Sequence, residues 1–209
     1  MRILGVLKKP RFVGQVFNLN HTSAIFSDNT GRHGVSTGVG VTSVGEKASF
    51  AVGNGGVYTF GGDPNATEDF AMTKMGDFDV SFKFQMTADP DTLSLLFAFG
   101  DSTGSGGAGI LCYIGSLAGG LRVILAVNGF AVSLWHPTIQ VVGAAEQTVL
   151  VTRRGLLYTL TVDGSSVSST ASSLGTDISP NSLIIGSWAA QGVTWDFIGT
   201  IRDFVVTKV

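Results

Sequence analysis

Two acids at a spacing of two, Asp77-Phe78-Asp79, are the first residues of this chain that could work as paired carboxylates. Glycoside hydrolysis needs two such groups flanking the scissile bond, one to protonate the leaving oxygen and one to attack or to activate water. Asp77 sits at a strand entry, however, and no third acid follows. Asp63, Glu68 and Asp69 cluster in a polar loop, without a spacing that assigns a general acid and a general base. The three histidines, His21, His33 and His136, are too dispersed to propose a nucleophile triad. These residue types point away from catalysis, and the chain is expected not to be an enzyme.

Oxygen ligands come next. Asp63, Asn65, Asp101 and Asp163 lie in loops and are of the kind calcium takes. They match no defined calcium loop: Asp63 precedes Pro64 in a turn, and Asp163-Gly164 is a two-residue turn. No metal or other cofactor is expected, calcium being the one ion that these loops would suit. The single cysteine, Cys112, lies inside an apolar run and reads as a small buried hydrophobe, so no disulfide can form within the chain.

Aromatic platforms are what a sugar would need. Trp135 alternates with Ala131 and Ser133, opposite Val132 and Leu134, and is expected to face outward. Trp188 and Trp195 bracket the loop at 189–194. Packing in a core or interface is the commoner fate of tryptophan; Trp135, Trp188 and Trp195 are the candidates for ligand contact.

The elements that must position these residues are strands. Residues 109–136, GILCYIGSLAGGLRVILAVNGFAVSLWH, are apolar runs broken at Ala118-Gly119-Gly120 and at Asn128-Gly129. Asn-Gly between alternating runs signals a hairpin, because a type I′ turn needs φ > 0 at both central residues. Leu121, Val123, Leu125 and Val127 fall on one side, answered by Phe130, Val132 and Leu134. Arg122, Ser133 and Trp135 then point outward as a partner surface. Within 78–86, Val80, Phe82, Phe84 and Met86 alternate with Asp79, Ser81, Lys83 and Gln85, the period of a half-buried strand. Residues 93–99 are apolar on both faces, as in a central strand. A hairpin is expected across Arg153-Arg154-Gly155, and a long strand over 197–206. One helical turn is expected, within 68–76. Turn signals recurring every 8–12 residues favour a sandwich or jelly roll.

Composition agrees. The chain has 209 residues, long enough to bury a full core in one all-β domain. Glycine, at 29 residues, is scattered between apolar runs as turns and bulges, and 13% of residues are charged, about half the usual share. So sparse a charge suggests surface hidden in an assembly. A net charge of −2 and the absence of a long basic run argue against nucleic acid. No uninterrupted apolar run is long enough to span a membrane, and the N-terminus lacks the pattern of a signal peptide. Residues 1–15 read as an arm, whose Ile3, Leu4, Val6 and Leu7 would add a strand or dock on a neighbour; residues 16–209 read as one domain.

The order of pieces resembles the laminin-G-like branch of the concanavalin A-like lectin/glucanase superfamily. Phe26-Ser27-Asp28-Asn29-Thr30-Gly31-Arg32-His33-Gly34 is like the opening of such domains. GEKASFAVGNGGVYTF at 45–60, GDFDVSFKF at 76–84 with Phe84 in place of tryptophan, and TVLVTRRGLLYTLTVDG at 148–164 are similar to its internal strands. Leu183-Ile184-Ile185-Gly186 and Phe197-Ile198-Gly199-Thr200-Ile201-Arg202-Asp203-Phe204 resemble its closing pair. The resemblance implies an all-β, antiparallel jelly-roll β-sandwich with its terminal strands close together. The Glu-x-Asp-x-x-Glu strand of the glucanase members is missing. The leading expectation is a non-enzymatic structural or interaction protein, a virion component of a tailed phage such as a capsid decoration or tail protein. It would oligomerise or dock on other assembly proteins, being made in the host cytoplasm and carried in the virion. The alternative is a carbohydrate-binding, receptor-binding module using the three tryptophans.

Overall fold

The computed structural model describes residues 13–20, 26–38, 40–51, 56–59, 64–89, 93–100, 108–117, 119–127, 132–173, 182–187, 189–190 and 193–209. The chain opens with β1 (Gly14–Asn20), β2 (Ser27–Asp28), β3 (Val35–Thr37), β4 (Val41–Val44), β5 (Lys47–Phe50) and β6 (Val57–Thr59). Two short helices follow, α1 (Pro64–Asp69) and α2 (Met72–Met75). Next come β7 (Phe78–Met86), β8 (Leu93–Gly100), β9 (Ala108–Leu117), β10 (Gly120–Val127) and β11 (Val132–Gln140). After these run β12 (Gln147–Arg154), β13 (Leu157–Val162) and β14 (Ser165–Thr170). The last strands are β15 (Ser182–Ile185), β16 (Ala189–Ala190), β17 (Val193–Thr194) and β18 (Gly199–Lys208).

Two antiparallel sheets face each other. The first has the order β14-β13-β12-β7-β18-β1-β2, with β5 pairing the start of β18 and β4 pairing β5. The second runs β11-β10-β9-β8-β15-β6-β3. The jelly-roll sandwich expected from the sequence is thus what forms, with both chain ends meeting where Gly14 pairs Lys208. That pairing places Gly14 and Gln15, the last residues of the stretch read as an arm, already in β1. Ile3, Leu4, Val6 and Leu7 lie outside the described residues.

Phenylalanines fill the space between the sheets. β7 alternates buried and half-buried along its whole length, as its sequence period dictates. Phe82 stacks on Phe204 at 5.3 Å between ring centroids, and Phe97 meets both rings edge-on. Phe70 stacks on Phe99 at 5.6 Å. Each such ring contributes about 1.5–3 kcal/mol by leaving water, so this layer is the main source of stability. Cys112 is fully buried among these residues, as its setting suggested.

Bulges decide which face a side chain takes. The register shifts between Leu95 and Phe97, so Leu96 and Phe97 both face the core while Leu95 and Ala98 face away. A second shift between Arg202 and Val205, with Asp203 at φ 53°, lets Ile201, Phe204 and Val206 all point inward.

Three local expectations need correction. The single helical turn expected within 68–76 is two helical segments, the first starting at Pro64, whose fixed φ suits the first helical position. Arg153 and Arg154 do not form the turn: β12 runs through both, and the chain reverses at Gly155 and Leu156. Arg153 shares the inward face with Val149 and Val151, donating to the carbonyls of Met72 at 2.8 Å and Gly155 at 3.1 Å. The closing strand starts at Gly199, leaving Phe197 buried just ahead of it.

Candidate functional site

The outer face of the seven-stranded sheet, turned away from its partner sheet, is built in cross-strand rows. Trp135 on β11 stands opposite Ile124 on β10, Ile124 opposite Tyr113 on β9, and Tyr113 opposite Leu95 on β8. A neighbouring row runs Ser133, Ala126, Leu111, Ala98 and Ile184. Leu95, Ala98, Leu111, Tyr113, Ile124, Ala126 and Ile184 form an apolar cluster of their own, separate from the core between the sheets. Burial pushes the Tyr113 hydroxyl up to about 12, with the neighbouring Cys112 adding to the shift, so the ring stays a neutral phenol.

Trp195 closes this row at one end. Its ring lies 5.4 Å from that of Tyr113 at an interplanar angle of 49°. The segment carrying it is stitched down: Leu95 donates its N–H to the Trp195 carbonyl at 3.3 Å, and Ser94 donates to the carbonyl of Asp196 at 2.9 Å. Phe197 donates to the carbonyl of Gly186 at 2.7 Å.

Trp135 is the open end. It is 37% exposed, whereas Leu95, Tyr113 and Ile124 in the same row are at most 4% exposed. The outward direction expected from its alternation is the one observed. Tyr113 is two strands away, a spacing of about 10 Å. Beside Trp135 the register shifts, Arg122 pairing with Ile139 and Ile124 with Trp135. The Arg122 guanidinium lies over this bulge and donates to the carbonyls of His136 and Pro137. Trp135 and Trp195 therefore belong to one face; Trp188 lies outside the described residues.

A second polar constellation is buried at one end of the sandwich, and no spacing in the sequence hints at it. Asp69, fully buried at the end of α1, accepts from Arg32 Nε at 2.9 Å and Nη2 at 2.7 Å, and pairs with His33 Nε2 at 3.1 Å. Lys208 Nζ reaches its other oxygen at 3.3 Å and the Glu68 carbonyl at 2.7 Å. Burial alone would raise the Asp69 carboxyl, but the His33 and Arg32 hydrogen bonds and the charges of Arg32 and Lys208 hold it below its usual range. Asp28 organises the adjoining turn, accepting from the N–H groups of Asn18, Thr30, Arg32 and His33. The cluster joins the first turn, α1 and the final strand. Asp28, Arg32 and His33 all stand in the opening motif at 26–34, yet nothing local pairs them with residues so far along the chain.

The other candidate acids are engaged in turns and strand edges. Asp77 accepts the Gly155 N–H at 2.7 Å, and Asp79 pairs with Arg154 at 2.7 Å. Asp163 accepts from Thr148 N–H at 2.8 Å and Gln147 Nε2 at 3.1 Å, the work of a turn residue. Asn65 donates to the Arg32 carbonyl at 2.8 Å. Asp63, Asp101 and His21 lie outside the described residues. Among the described residues, no group of three or more His, Cys, Asp or Glu side chains could hold a metal ion. His136 bonds the Ser165 carbonyl at 2.9 Å through Nε2 and meets the Thr138 N–H at 3.3 Å through Nδ1, clipping β11 to β14 of the other sheet.

No family model matches the chain, and no curated protein matches it in sequence. Solved structures do share its fold. The sialidase of Trypanosoma rangeli in complex with sialic acid superposes with a TM-score of 0.68 at 14% identity, over 93% of this chain and 31% of that one. A botulinum neurotoxin type C structure, titled for cell entry dependent upon interaction with two ganglioside molecules, gives 0.65 at 13% identity, over 93% and 48%. The binding domain of botulinum neurotoxin DC in complex with SialylT gives 0.59 at 13%, again over 93% and 48%. The chain thus spans 31% to 48% of the length of these proteins. A mutant T. rangeli sialidase displaying trans-sialidase activity also superposes, at 0.66. The expectation that the chain is not an enzyme is overturned by this company: sialidases carry the same sandwich, so the fold excludes no enzymatic role. At these identities the likeness establishes the fold alone, a β-sandwich.

Proposed function

We propose that the open Trp135 end of the outer face of the seven-stranded sheet, beside Ser133 and Arg122, is a carbohydrate-binding surface. The observation that carries this reading is the state of Trp135. Its row neighbours are buried, yet this one ring is left more than a third exposed on the edge strand. The flat faces of a sugar ring carry C–H groups that stack on an indole, while its hydroxyls need polar groups beside it. Ser133 and Arg122 supply polar atoms on the same face. The solved structures with this fold include a sialidase holding sialic acid and a toxin domain holding SialylT, which supports a sugar as the ligand class. Membership of the laminin-G-like branch of the concanavalin A-like superfamily belongs to the same proposal, supported by the order of motifs from Phe26 to Phe204.

A glycan array on the purified chain tests it. Trp135→Ala should weaken the best array sugar by about thirtyfold or more, the loss of an anchoring tryptophan being about 2 kcal/mol. Trp135→Phe should recover part of it. Absence of binding to any sugar, or unchanged binding by Trp135→Ala, overturns the reading.

A second reading, docking on a larger assembly, is favoured by the exposed apolar residues that continue from Trp135: Ile139 at 48%, Val141 at 62% and Val142 at 39%. The virion location, the other assembly proteins or further copies of this chain as partners, and an arm over 1–15 contacting through Ile3, Leu4, Val6 and Leu7 go with this second reading. Light scattering of the purified chain tests the copies, and a monomer at high concentration counts against them.

A further inference from the structure

Charge is almost absent around Trp135. Between Asp101 and Glu146 the sequence holds one Asp, Glu, Lys or Arg residue, and that residue is Arg122. Elsewhere among the described residues the cations are paired or buried. Lys47, Lys74, Lys83 and Lys208 each pair with a carboxylate, as do Arg32, Arg154 and Arg202. Arg153 is buried against carbonyls. Among the described residues, Arg122 is therefore the one partly exposed cation without a carboxylate partner. It is also the cation beside the exposed tryptophan, held on the same face by the bulge carbonyls of His136 and Pro137.

A guanidinium has five N–H donors in a fixed fork. One terminal nitrogen of Arg122 is committed to the two bulge carbonyls, which fix the direction of the fork. The charge itself is left uncompensated on a surface whose other members are apolar or neutral. An apolar surround of low polarity strengthens the attraction of such a charge for an anion. With Nη1 engaged by both carbonyls and Nε buried, Nη2 is the nitrogen left to a ligand, and a carboxylate oxygen is the acceptor that makes the strongest, charge-assisted bond to it.

We infer that the face takes an acidic sugar, its ring on Trp135 and its carboxylate on Arg122. The inference rests on the reading of this face as a glycan surface and adds the ligand's charge to it. Two classes of sugar carry the carboxylate, sialic acids and hexuronic acids, and the experiment separates them.

Titration calorimetry at low salt would compare 3′-sialyllactose, its carboxyl methyl ester, lactose and a tetrasaccharide of alternating glucuronic acid and N-acetylglucosamine. At least one acidic sugar should bind about tenfold more tightly than lactose or the ester, as expected for hydrogen bonds to a charged group. Added salt should shrink that difference. Arg122→Gln should bring the preferred acidic sugar to within about threefold of lactose on the same variant, while Arg122→Lys should keep part of the preference. Because the ester is tested on the unaltered chain, the result does not depend on how a variant at the bulge folds. If the ester or lactose binds as tightly as the better-bound of the two acids, the acidic-sugar inference falls while the glycan reading stands. If none of the four sugars nor any array sugar binds, both fall together.

Discussion

Replacing Asp69 with Asn tests whether the buried cluster at the end of the sandwich holds the chain ends together. The carboxylate has no exposed surface and faces three cationic or protonatable groups, Arg32, His33 and Lys208. Asparagine keeps the shape but removes the charge and turns one oxygen into a donor, which must then face a donor from Arg32, His33 or Lys208. Lys208, itself 4% exposed, loses the carboxylate while keeping the neutral Glu68 carbonyl as an acceptor. Breaking a buried ion pair by neutralising one partner costs about 3–5 kcal/mol. For a chain of this length each kcal/mol lowers the melting temperature by about 2–4 °C, so Asp69→Asn should melt about 6–20 °C below the parent. The pH dependence has a definite sign. The folded carboxyl lies below the ordinary aspartate range, so its stabilising share is complete above the unfolded pKa and fades as the pH falls through the folded one. Urea melts followed by circular dichroism at pH 7, 4 and 3 should therefore show a large gap between parent and variant at pH 7, narrowing toward pH 3. A gap of under about 1 kcal/mol at pH 7 would refute the reasoning, as no substitution at a supporting ion cluster is that mild. So would a gap that stays constant as the acid side is approached.

Two further predictions concern packing. Gly186→Ala should be strongly destabilising, because the residue sits at φ +84° and its new Cβ would lie 2.1 Å from the Phe50 ring. Left-handed strain and overpacking together cost about 2–5 kcal/mol, and a variant melting within about 2 °C of the parent would show that the ring yields freely. Burial pushes the Cys112 thiol well above the ordinary range, so a disulfide reagent at mildly alkaline pH should label the folded chain only as fast as it opens. Labelling within seconds, before urea is added, would contradict a fully buried position.

The period of two carries most of the architecture. Phe78 to Met86 alternates in sequence as it does in the sheet, and Val132 and Leu134 alone suffice to aim Trp135 outward. The bulges are not legible in the same way. At Leu96 and at Asp203 one extra residue restores the inward direction of an apolar side chain, and a simple alternation misassigns the residues beyond it. Arg153 is misplaced for a related reason: two adjacent arginines before glycine look like a turn. The acceptors that make one of them tolerable inside are backbone carbonyls, one of them on the distant helix α2. The cluster at Asp69 is the clearest limit. Its members come from the first turn, from α1 and from the last strand, and only the closed sandwich makes them neighbours. Trp195 is a candidate by residue type, but its contact with Tyr113 depends on Ser94 and Leu95 pinning its segment to β8.

The edge strand β11 decides how a partner can approach this face. An edge ordinarily offers a row of unpaired backbone groups to any strand that can add to it. Here Pro137 has no N–H to offer, and the carbonyls of His136 and Pro137 are occupied by Arg122. His136 itself is clipped to Ser165 on the opposite sheet, which brings β14 alongside. The middle of the strand is therefore poorly suited to strand addition, by a second copy of the chain or by a peptide. The groups still available on its outward side are side chains: Ser133, Trp135, Ile139 and, across the bulge, Arg122. The same contacts that close the backbone also fix the guanidinium beside the indole. One arrangement thus makes the middle of this edge a poor template for an added strand and holds the Arg122 guanidinium on the face that carries Trp135, which leaves side chains rather than backbone as what a partner meets there.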